Sequence, residues 1–533
     1  MRRPPVVAMT GVDYVVVGGG SAGAAVASRL SEDEDTEVLL LEAGFDWRSA
    51  DAPSEIRSQN FFYVLAELEE EYVWPRVTAK LNPKQTPEHY VLGKGLGGGS
   101  TVNAQFFVRP PLSDFDMWED LGAEGWSGDD VLPYFVAAEN DEEFGDRPHH
   151  GDDGPIPVWR PDEEDWDALD HAFFEAASDL GHPTSPDLDF NHPEMTGLSR
   201  VPYNMEDGQR VTTNDGYLEP ARDRDNLTIV GQTLVDRVLF DGRKAVGVEA
   251  IRNGRNQIFL ADDVVLCAGA IHTPAILMRS GVGPAPQLTD IDVGVKVDHP
   301  GMGRLIDQPL LTVTYDLKEE YQSPPPAPDN YYSSLLLAWS SETPFGRDLD
   351  LQLHTQNFMG TTEEALETGG LVFALMDIYS RGRIKATSSD PTDSPDIWVN
   401  MFGDRRDVVR AREGMRHAFE LSEHEAIQEL IEGEPEFAPR GADGEPISAF
   451  DDDDEALEEE ILEQCAQYFH PVGTCRMGDP NDKMSVVDPD GAVIGLDNLY
   501  VADASIMPDI VRANTNSTCI MIGEHIADKL RQR

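Results

Sequence analysis

A glycine-rich turn between a predicted strand and a predicted helix constrains the fold of this chain more than any other feature. Residues 14–17 are continuously apolar, as in a strand buried on both faces, and residues 18–23 read GGGSAG. Small residues with the Val26 and Leu30 pair then predict a helix, and residues 38–41 predict a second buried strand. The pattern indicates a βαβ unit of the kind that binds a dinucleotide.

Each glycine of this turn has a distinct expected role. Gly18 permits the tight turn, Gly20 lets a pyrophosphate approach the backbone, and Gly23 lets the helix lie close to the strand. Glu42 ends the second strand 19 residues after Gly23, close to the spacing of about 20 for a carboxylate that holds ribose hydroxyls. A carboxylate there favours FAD or NAD over NADP. A purely structural turn is the alternative.

Further signals extend this unit along the chain. Predicted strands cover residues 227–230, 235–240, 245–250, 264–267 and 499–502, the second and third forming an antiparallel ribbon. A helix with Pro274 near its first position follows the fourth of these strands, and Ile522, Ile526 and Leu530 mark a closing helix. Between about residues 300 and 464 mixed strands and acidic helical stretches predict a second domain.

A second glycine-rich segment, GKGLGGGSTVNAQ at residues 93–105, offers backbone amides and Lys94 to an anion. Taken alone, this segment could also be a flexible linker.

Four motifs together resemble the glucose-methanol-choline family of FAD oxidoreductases, over nearly the full length. GKGLGGGSTVNAQ is similar to the first family signature and GAIHTPAILMRSGVGP to the second. HPVGTCRMG and NLYVADASIMPDIVRANTNSTCIMIGEHIAD resemble the C-terminal block. The resemblance implies that FAD, rather than a nicotinamide, occupies the dinucleotide site.

The fold class that we expect is α/β, with a Rossmann-like FAD-binding domain and an inserted α+β substrate domain built on an antiparallel sheet. The predicted FAD-binding domain is noncontiguous, comprising residues 10–160, 205–300 and 465–533. Residues 161–204 and 301–464 form the predicted substrate-binding domain.

The resemblance also implies FAD contacts at matching positions of this chain. The pyrophosphate contacts fall on Ser21 and the glycines around it, the ribose contact on Glu42 and the adenine contact on the Val235 backbone. Residues 94–103 are the implied contacts of the phosphates and the flavin edge. The individual positions implied for FAD are Gly18, Gly20, Ser21, Gly23, Glu42, Lys94, Gly97, Ser100, Asn103, Val235, Ala268, Asp503, Ala504 and Thr515.

His470 is the implied catalytic base and Asn514 its partner, which binds the substrate oxygen. A histidine suits this role because its ordinary pKa lies near 6.5, so the neutral form is available at physiological pH. The helix that begins near Asn516 would direct its N-terminal amides, with their partial positive charge, towards the flavin.

Two positions depart from the family pattern. Some members attach FAD covalently through a histidine just before the asparagine of the first signature, whereas Val102 stands here, so we predict noncovalent FAD. In GRLIDQ, residues 303–308, Leu305 replaces the usual asparagine and Gln308 the usual histidine, which leaves the local turn geometry open.

The expected reaction is oxidation of an alcohol to an aldehyde or ketone by hydride transfer to flavin N5. Choline-like or other primary alcohols are the expected substrates, and a quinone, another carrier or oxygen is the electron acceptor. The alternatives are an oxygen-using alcohol oxidase, an FAD-containing lyase of the hydroxynitrile type, and a binding protein without activity. The alcohol, the acceptor and the oligomeric state stay open.

The net charge of −58 makes nucleic acid and anionic lipid improbable partners, since both would be repelled. Acidic residues in every segment indicate adaptation to molar salt, where charges are screened to within about 3 Å. No apolar run reaches the roughly 18 residues that a membrane span needs, and the four cysteines are too few for a disulfide framework. We therefore expect a cytoplasmic protein with reduced thiols.

Two further groups of side chains are candidates for a site. His149, His150, His182 and His192 lack a metal-ligand spacing, so no metal is predicted. The aromatic residues Phe61, Phe62, Tyr63, Tyr331 and Tyr332 either line a pocket or belong to the core.

Overall fold

The computed structural model describes residues 6–67, 72–325, 329–438 and 444–533. The predicted domain ranges also include residues 68–71, 326–328 and 439–443, which lie outside the described residues. The helices are α1 (Ser21–Leu30), α2 (Ser54–Arg57), α3 (Phe61–Glu67), α4 (Gly99–Val102), α5 (Ser113–Asp120), α6 (Gly128–Ala138), α7 (Ala168–Asp179), α8 (Glu219–Ala221), α9 (Gly269–Arg279), α10 (Ala285–Asp290), α11 (Glu363–Glu367), α12 (Arg405–Ser422), α13 (Glu425–Gln428), α14 (Asp454–Gln464) and α15 (Asn516–Arg531).

The strands are β1 (Val6–Val17), β2 (Val38–Leu41), β3 (Thr78–Lys80), β4 (Glu88–His89), β5 (Glu139–Asp141), β6 (Ile156–Val158), β7 (Thr184–Asp189), β8 (Gly197–Arg200), β9 (Met205–Glu206), β10 (Gln209–Arg210), β11 (Leu227–Val230), β12 (Thr233–Asp241), β13 (Lys244–Arg252), β14 (Arg255–Leu266), β15 (Val282–Gly283), β16 (Val297–Asp298), β17 (Arg304–Leu305), β18 (Pro309–Leu317), β19 (Leu335–Trp339), β20 (Leu351–Gln356), β21 (Thr368–Leu375), β22 (Gly382–Lys385), β23 (Asp396–Trp398), β24 (Ile431–Phe437), β25 (Glu445–Pro446), β26 (Ala466–Gln467) and β27 (Leu499–Val501).

The first sheet assembles strands from the beginning, middle and end of the chain. Its order is β11-β2-β1-β14-β13-β12, and β27 pairs in parallel with β14. The β1–β2, β1–β14 and β2–β11 pairs are parallel, whereas β12, β13 and the first half of β14 form an antiparallel ribbon. The predicted βαβ unit and ribbon are both confirmed. Residues 15–17 and 38–41 are buried on both faces, as their continuous apolar character predicts.

The second large sheet is built almost entirely of antiparallel pairs. Its order is β25-β24-β18-β21-β20-β19-β8-β7, with β26 also paired to β18 and only β7 and β8 parallel. Phe373 of β21 lies against Gly414 of α12, and Tyr315 of β18 bonds to Ser422 of the same helix. Helices therefore cover one face of this sheet and leave the other face towards the interior. The antiparallel sheet of the expected fold class is confirmed.

The position of Pro274 is a correction to the sequence prediction. Helix α9 begins at Gly269, so Pro274 lies inside the helix and not near its first position. A proline cannot donate a hydrogen bond to the carbonyl four residues earlier. Here that carbonyl, of Ala270, instead accepts a hydrogen bond of 2.6 Å from the Thr474 hydroxyl. The helix tolerates proline because a distant segment supplies the missing donor.

All four cysteines are free thiols, as predicted. None of the helices within the described ranges combines the length and the apolar character required to cross a membrane.

Candidate active site

One elongated cavity of about 490 Å³ runs between the two large sheets. The glycine turn after β1 lies at one end, and β18, β20 and the segment around His470 line the substrate side. Of the residues predicted to bind FAD or to act in catalysis, those that line the cavity are Gly18, Gly20, Ser21, Glu42, Asn103, Val235, Ala268, Asp503, Ala504, Thr515, His470 and Asn514. Gly23, Lys94, Gly97 and Ser100 lie behind this wall.

The glycine turn has the geometry that its sequence demands. Gly18 has φ +100°, and a Cβ atom there would lie 2.5 Å from the Cys267 carbonyl oxygen. A Cβ atom on Gly23 would lie 1.9 Å from the Gly18 carbonyl oxygen, so only glycine allows α1 to start this close to β1. Gly20 caps α1, whose N-terminal amides point towards the cavity end where an anion can bind.

Glu42 connects the two glycine-rich segments. Its buried carboxylate accepts hydrogen bonds from the Gly19 amide at 2.8 Å, the Gly44 amide at 2.8 Å and the Gly95 amide at 3.1 Å. The Gly97 amide also donates to the Gly19 carbonyl at 2.8 Å. The second glycine segment is therefore held against the dinucleotide turn and is not a linker.

Lys94 and Ser100 contact protein groups instead of the cavity. The Lys94 ammonium lies 5.4 Å from the centre of the Trp74 ring. Ser100 donates to the Gly97 carbonyl at 2.7 Å and accepts from the Thr213 amide at 3.0 Å. These contacts fix the shape of the loop that leads into α4, where Val102 lines the cavity.

Asp503 links the C-terminal block to α9. Its carboxylate accepts hydrogen bonds from the Gly269 amide at 2.9 Å and the Thr273 hydroxyl at 2.6 Å. Burial raises the pKa of Asp503, and its hydrogen bonds oppose that rise. Asn514, Thr515 and Asn516 also line the cavity, and α15 begins at Asn516, so the N-terminus of this helix faces the cavity.

His470 and Asn514 lie side by side on the cavity wall. Both are buried, and the Asn514 Nδ2 atom lies 3.3 Å from the His470 Nε2 atom. The Asn514 Oδ1 atom has no hydrogen-bond partner among the described residues. Burial lowers the pKa of His470 to about 3, so its imidazole is neutral throughout the physiological pH range.

Gln308 determines which nitrogen of His470 carries the proton. The Gln308 Nε2 atom donates to the Met376 carbonyl at 2.8 Å and to the Val511 carbonyl at 2.9 Å, which assigns the other amide atom as oxygen. That Oε1 atom lies 2.6 Å from His470 Nδ1 and must accept a hydrogen bond from it. The proton therefore resides on Nδ1, and Nε2 is the acceptor nitrogen, where a hydroxyl proton could replace the N–H of Asn514.

Asp307 holds the backbone of the same group. Its carboxylate accepts from the His470 amide at 2.9 Å, the Gln308 amide at 2.9 Å and the Tyr90 hydroxyl. Burial raises the pKa of Asp307 to about 6, opposed by these hydrogen bonds. Gln308, which stands where the family pattern has a histidine, is thus the residue that orients His470. The sequence marked the position but not its contact.

Of the five aromatic residues singled out in the sequence, some line the cavity and the others pack in the core. Phe61 and Tyr332 line the cavity, with their ring centres 4.7 Å apart. Phe62 and Tyr331 are buried in the hydrophobic cluster behind them, and Tyr63 is partly buried against that cluster.

His150 belongs to a buried charge cluster away from the cavity. Its ring contacts Glu139 at 2.9 Å, Asp141 at 3.2 Å and Asp189 at 2.9 Å. Glu139, Asp141 and His150 place possible metal ligands within 4.8 Å of one another, as do His149, His150 and Asp189. The carboxylates of this cluster are already paired with Arg109 and Arg160. The sequence prediction of no metal stays a prediction.

Comparison with known proteins identifies the family. Family profiles described as GMC oxidoreductase match residues 12–309 and 379–523. The chain belongs to the GMC oxidoreductase family. It is therefore an FAD-dependent oxidoreductase that acts on alcohols, as the four motifs predicted.

Individual relatives match this GMC oxidoreductase over nearly its full length. It is 35% identical to the oxygen-dependent choline dehydrogenase of Pseudomonas aeruginosa, covering 98% of this chain and 95% of that protein. It is 33% identical to the 5-(hydroxymethyl)furfural oxidase of a Methylovorus species, covering 97% and 98%. The crystal structure of pyridoxine 4-oxidase from Mesorbium loti superposes with a TM-score of 0.88 at 29% identity, covering 98% of this chain and 100% of that one.

Proposed function

We propose that this GMC oxidoreductase oxidises the hydroxyl-bearing carbon of a small alcohol, with His470 as the base and Asn514 as its partner. The observation that carries the proposal is the pair of side chains on the cavity wall, with Asn514 Nδ2 3.3 Å from His470 Nε2. Because Gln308 holds the proton on Nδ1, Nε2 can accept the hydroxyl proton of the substrate. The substrate hydroxyl would replace the Asn514 N–H at Nε2, and Asn514 would then donate to the substrate oxygen.

The cavity suits FAD. It extends from the dinucleotide turn to His470, and the glycines at both loops leave the backbone accessible to phosphates. When bound, FAD supplies the acceptor for the hydride that leaves the alcohol carbon. Ser21 and the turn glycines would hold its pyrophosphate, Glu42 its ribose, Val235 its adenine, and Asn103, Ala504 and Thr515 its flavin half. The N-terminus of α15 would stabilise negative charge on the flavin.

We further propose that residues 10–160, 205–300 and 465–533 form the FAD-binding domain, and residues 161–204 and 301–464 the substrate domain. Four free thiols support a reducing, cytoplasmic location. The electron acceptor is a quinone, another carrier or oxygen, and the names of two relatives favour oxygen.

Anaerobic mixing with a panel of primary alcohols tests the function directly. The expected result is loss of the oxidised-flavin absorbance, since the hydride is retained when no acceptor is present. A lyase of the hydroxynitrile type would leave the absorbance unchanged. Re-oxidation of the bleached protein by air and by a quinone, compared as rates, then distinguishes an oxidase from a dehydrogenase.

Noncovalent FAD is the next prediction. Val102 has no nucleophilic atom, and the cavity thiols are poor nucleophiles because burial raises the pKa of Cys519 to about 12 and also raises that of Cys267 well above its ordinary value. After acid denaturation and centrifugation, we expect the yellow colour in the supernatant. A yellow protein pellet would contradict noncovalent binding.

Gln308→Met should slow the chemical step while leaving substrate binding nearly intact. The thioether cannot fix the His470 tautomer, so we expect kcat to fall at least about tenfold with KM changed less than about twofold. Stopped-flow flavin reduction against alcohol concentration measures both quantities. A rise in KM alone would mean that Gln308 shapes the pocket without orienting the base.

Stability should depend strongly on salt, because we propose that the chain is adapted to high salt. Acidic residues populate the exposed surface, as in the run from Asp451 to Glu455, in which every residue is exposed. We expect the thermal midpoint to rise steadily with KCl up to about 2 M, since screening weakens the repulsion among them. Equal midpoints in dilute buffer and in 2 M KCl would refute the adaptation.

A further inference from the structure

Arg210 carries a buried guanidinium group whose hydrogen bonds go only to uncharged oxygens. The residue is 3% exposed, and its Nη1 atom donates to the Ser100 carbonyl at 3.2 Å and to the Asn103 Oδ1 atom at 2.8 Å. Its Nε and Nη2 atoms have no partner among the described residues. Burial lowers the pKa of Arg210 to about 9, opposed by Tyr332 and Asp215, so the side chain is still charged at pH 7.

A buried positive charge of this kind is costly to the folded protein. Buried ionised groups are normally paired, because the protein interior solvates a charge poorly. Two other buried arginines of this chain follow that rule, since Arg109 pairs with Glu139 and Arg160 pairs with Asp141. The negative charge that Arg210 lacks within the protein can be supplied by a bound molecule.

Asn103 connects Arg210 to the cavity. Its Oδ1 atom accepts from the Gln105 amide at 3.0 Å as well as from Arg210, which assigns the other amide atom as nitrogen. That Nδ2 atom has no partner among the described residues and keeps accessible surface, and Asn103 lines the cavity together with Val102 and Ala104. Its N–H groups are therefore open to a bound molecule, and the Arg210 charge lies directly behind them.

The loop that carries Asn103 runs from the phosphate end of the cavity to its substrate side. A Cβ atom on Gly98 would lie 2.6 Å from the Gly20 Cα atom, so the loop starts against the dinucleotide turn. Phe106, three residues after Asn103, packs edge to face on His354 of β20, with 5.4 Å between the ring centres. Asn103 thus lies between these two ends, where the flavin half of FAD is proposed to bind.

Reduction gives the flavin the negative charge that this part of the protein lacks. In the proposed reaction the alcohol carbon transfers a hydride to the flavin and the hydroxyl proton goes to His470, so the flavin gains one negative charge. A positive charge nearby in a medium of low dielectric constant stabilises that anion more than it stabilises the neutral oxidised ring.

We propose that Arg210 is a positioning residue of the flavin site, which directs the Asn103 N–H groups towards the flavin and, through its unpaired charge, favours the reduced cofactor. This inference rests on the proposed binding of FAD and deepens the proposed alcohol oxidation. Arg210 does not itself line the cavity, so it acts through Asn103.

The midpoint potential of the bound flavin tests the inference. The holoenzyme is reduced anaerobically with dithionite in the presence of a reference dye, so no alcohol takes part. In Arg210→Gln, whose amide can still donate to Asn103, we expect the equilibrium constant for two-electron reduction to fall at least about tenfold, which lowers the potential by about 30 mV. Arg210→Lys keeps the charge and should keep most of the wild-type potential.

Arg224→Gln is the matched control. Arg224 lies in the same proposed domain, and its Nη1 atom also donates to uncharged oxygens, those of the Ser28 carbonyl and the Ser31 hydroxyl. These contacts are at the C-terminal end of α1, away from the dinucleotide turn, and Arg224 does not line the cavity. Its substitution should leave the potential unchanged. An unchanged potential in Arg210→Gln, or an equal fall in Arg224→Gln or in Arg210→Lys, would overturn the inference.

Thermal unfolding and FAD content separate the inference from a structural role. Because Arg210→Gln removes an unpaired buried charge, its thermal midpoint should not lie below that of Arg224→Gln. A marked fall, or failure to fold, would show that the protein needs Arg210 for its structure and would overturn the inference. Loss of FAD from Arg210→Gln would place the charge at the phosphates and would overturn the assignment to the flavin.

The outcome for the proposed function is read separately. Failure of every alcohol to bleach the wild type would refute alcohol oxidation. The potentials are measured without alcohol, so they would still decide the role of Arg210.

Discussion

Replacing His470 with alanine is expected to slow flavin reduction by alcohol at least about 100-fold while FAD remains bound. The substitution removes the Nε2 lone pair that accepts the hydroxyl proton, and general base catalysis contributes about 10² to 10⁴ in rate. The protein contacts of the dinucleotide turn lie at the other end of the cavity, so cofactor content should be unchanged. Stopped-flow reduction under anaerobic conditions and the flavin-to-protein absorbance ratio measure the two effects.

His299→Gln is the matched control for the loss of a buried histidine. His299 is also buried, and its Nε2 atom lies 2.9 Å from the Ile494 carbonyl, outside the cavity. Its substitution should leave the reduction rate within about twofold of the wild type. An unchanged rate in His470→Ala would remove His470 from the mechanism, and an equal loss in both variants would indicate a general structural effect.

Replacing His150 with glutamine is expected to lower the free energy of unfolding by about 3–5 kcal/mol, as for other broken buried ion pairs. The His150 side chain is fully buried among Glu139, Asp141 and Asp189, so the variant leaves their negative charges less compensated. These contacts join β5 to β7, which belong to different sheets. Urea unfolding followed by tryptophan fluorescence measures the loss.

The same cluster predicts how stability varies with pH. Burial acts to lower the pKa of His150, but its hydrogen bonds to Asp141, Asp189 and Glu139 outweigh it and raise the pKa to about 10. The folded protein therefore binds a proton that the unfolded chain releases near pH 6.5, and this stabilisation is complete below that pH and is lost as pH rises through about 10. His150→Gln should lack this alkaline loss. His171→Gln, at an exposed position of α7, should behave as the wild type does.

The parts of the fold that the sequence predicted are those set by neighbouring residues. β2 and β11 have the predicted limits, because continuous apolar runs between turn residues mark buried strands. The predicted start of helix α9 was wrong, because proline normally marks the first turn of a helix. The Thr474 hydroxyl, which lets Pro274 lie inside the helix, lies 200 residues away in sequence. Propensity rules contain no information about such a distant donor.

The residues of the candidate site also differ in whether the sequence alone could identify them. His470 and Asn514 were identified through motif resemblance, which gives residue types in order but no distances. Gln308 differs in sequence from the family pattern, but its contact with His470 spans 162 residues and is not encoded locally.

The sequence by itself determined the dinucleotide turn, because the positive φ of Gly18 and the close approach at Gly23 are local steric requirements that only glycine meets. It also determined the family, through motifs distributed over the chain. Only the tertiary structure decided the tautomer of His470. The tautomer depends on the contact of His470 with Gln308, 162 residues away in sequence, which local residue patterns do not encode.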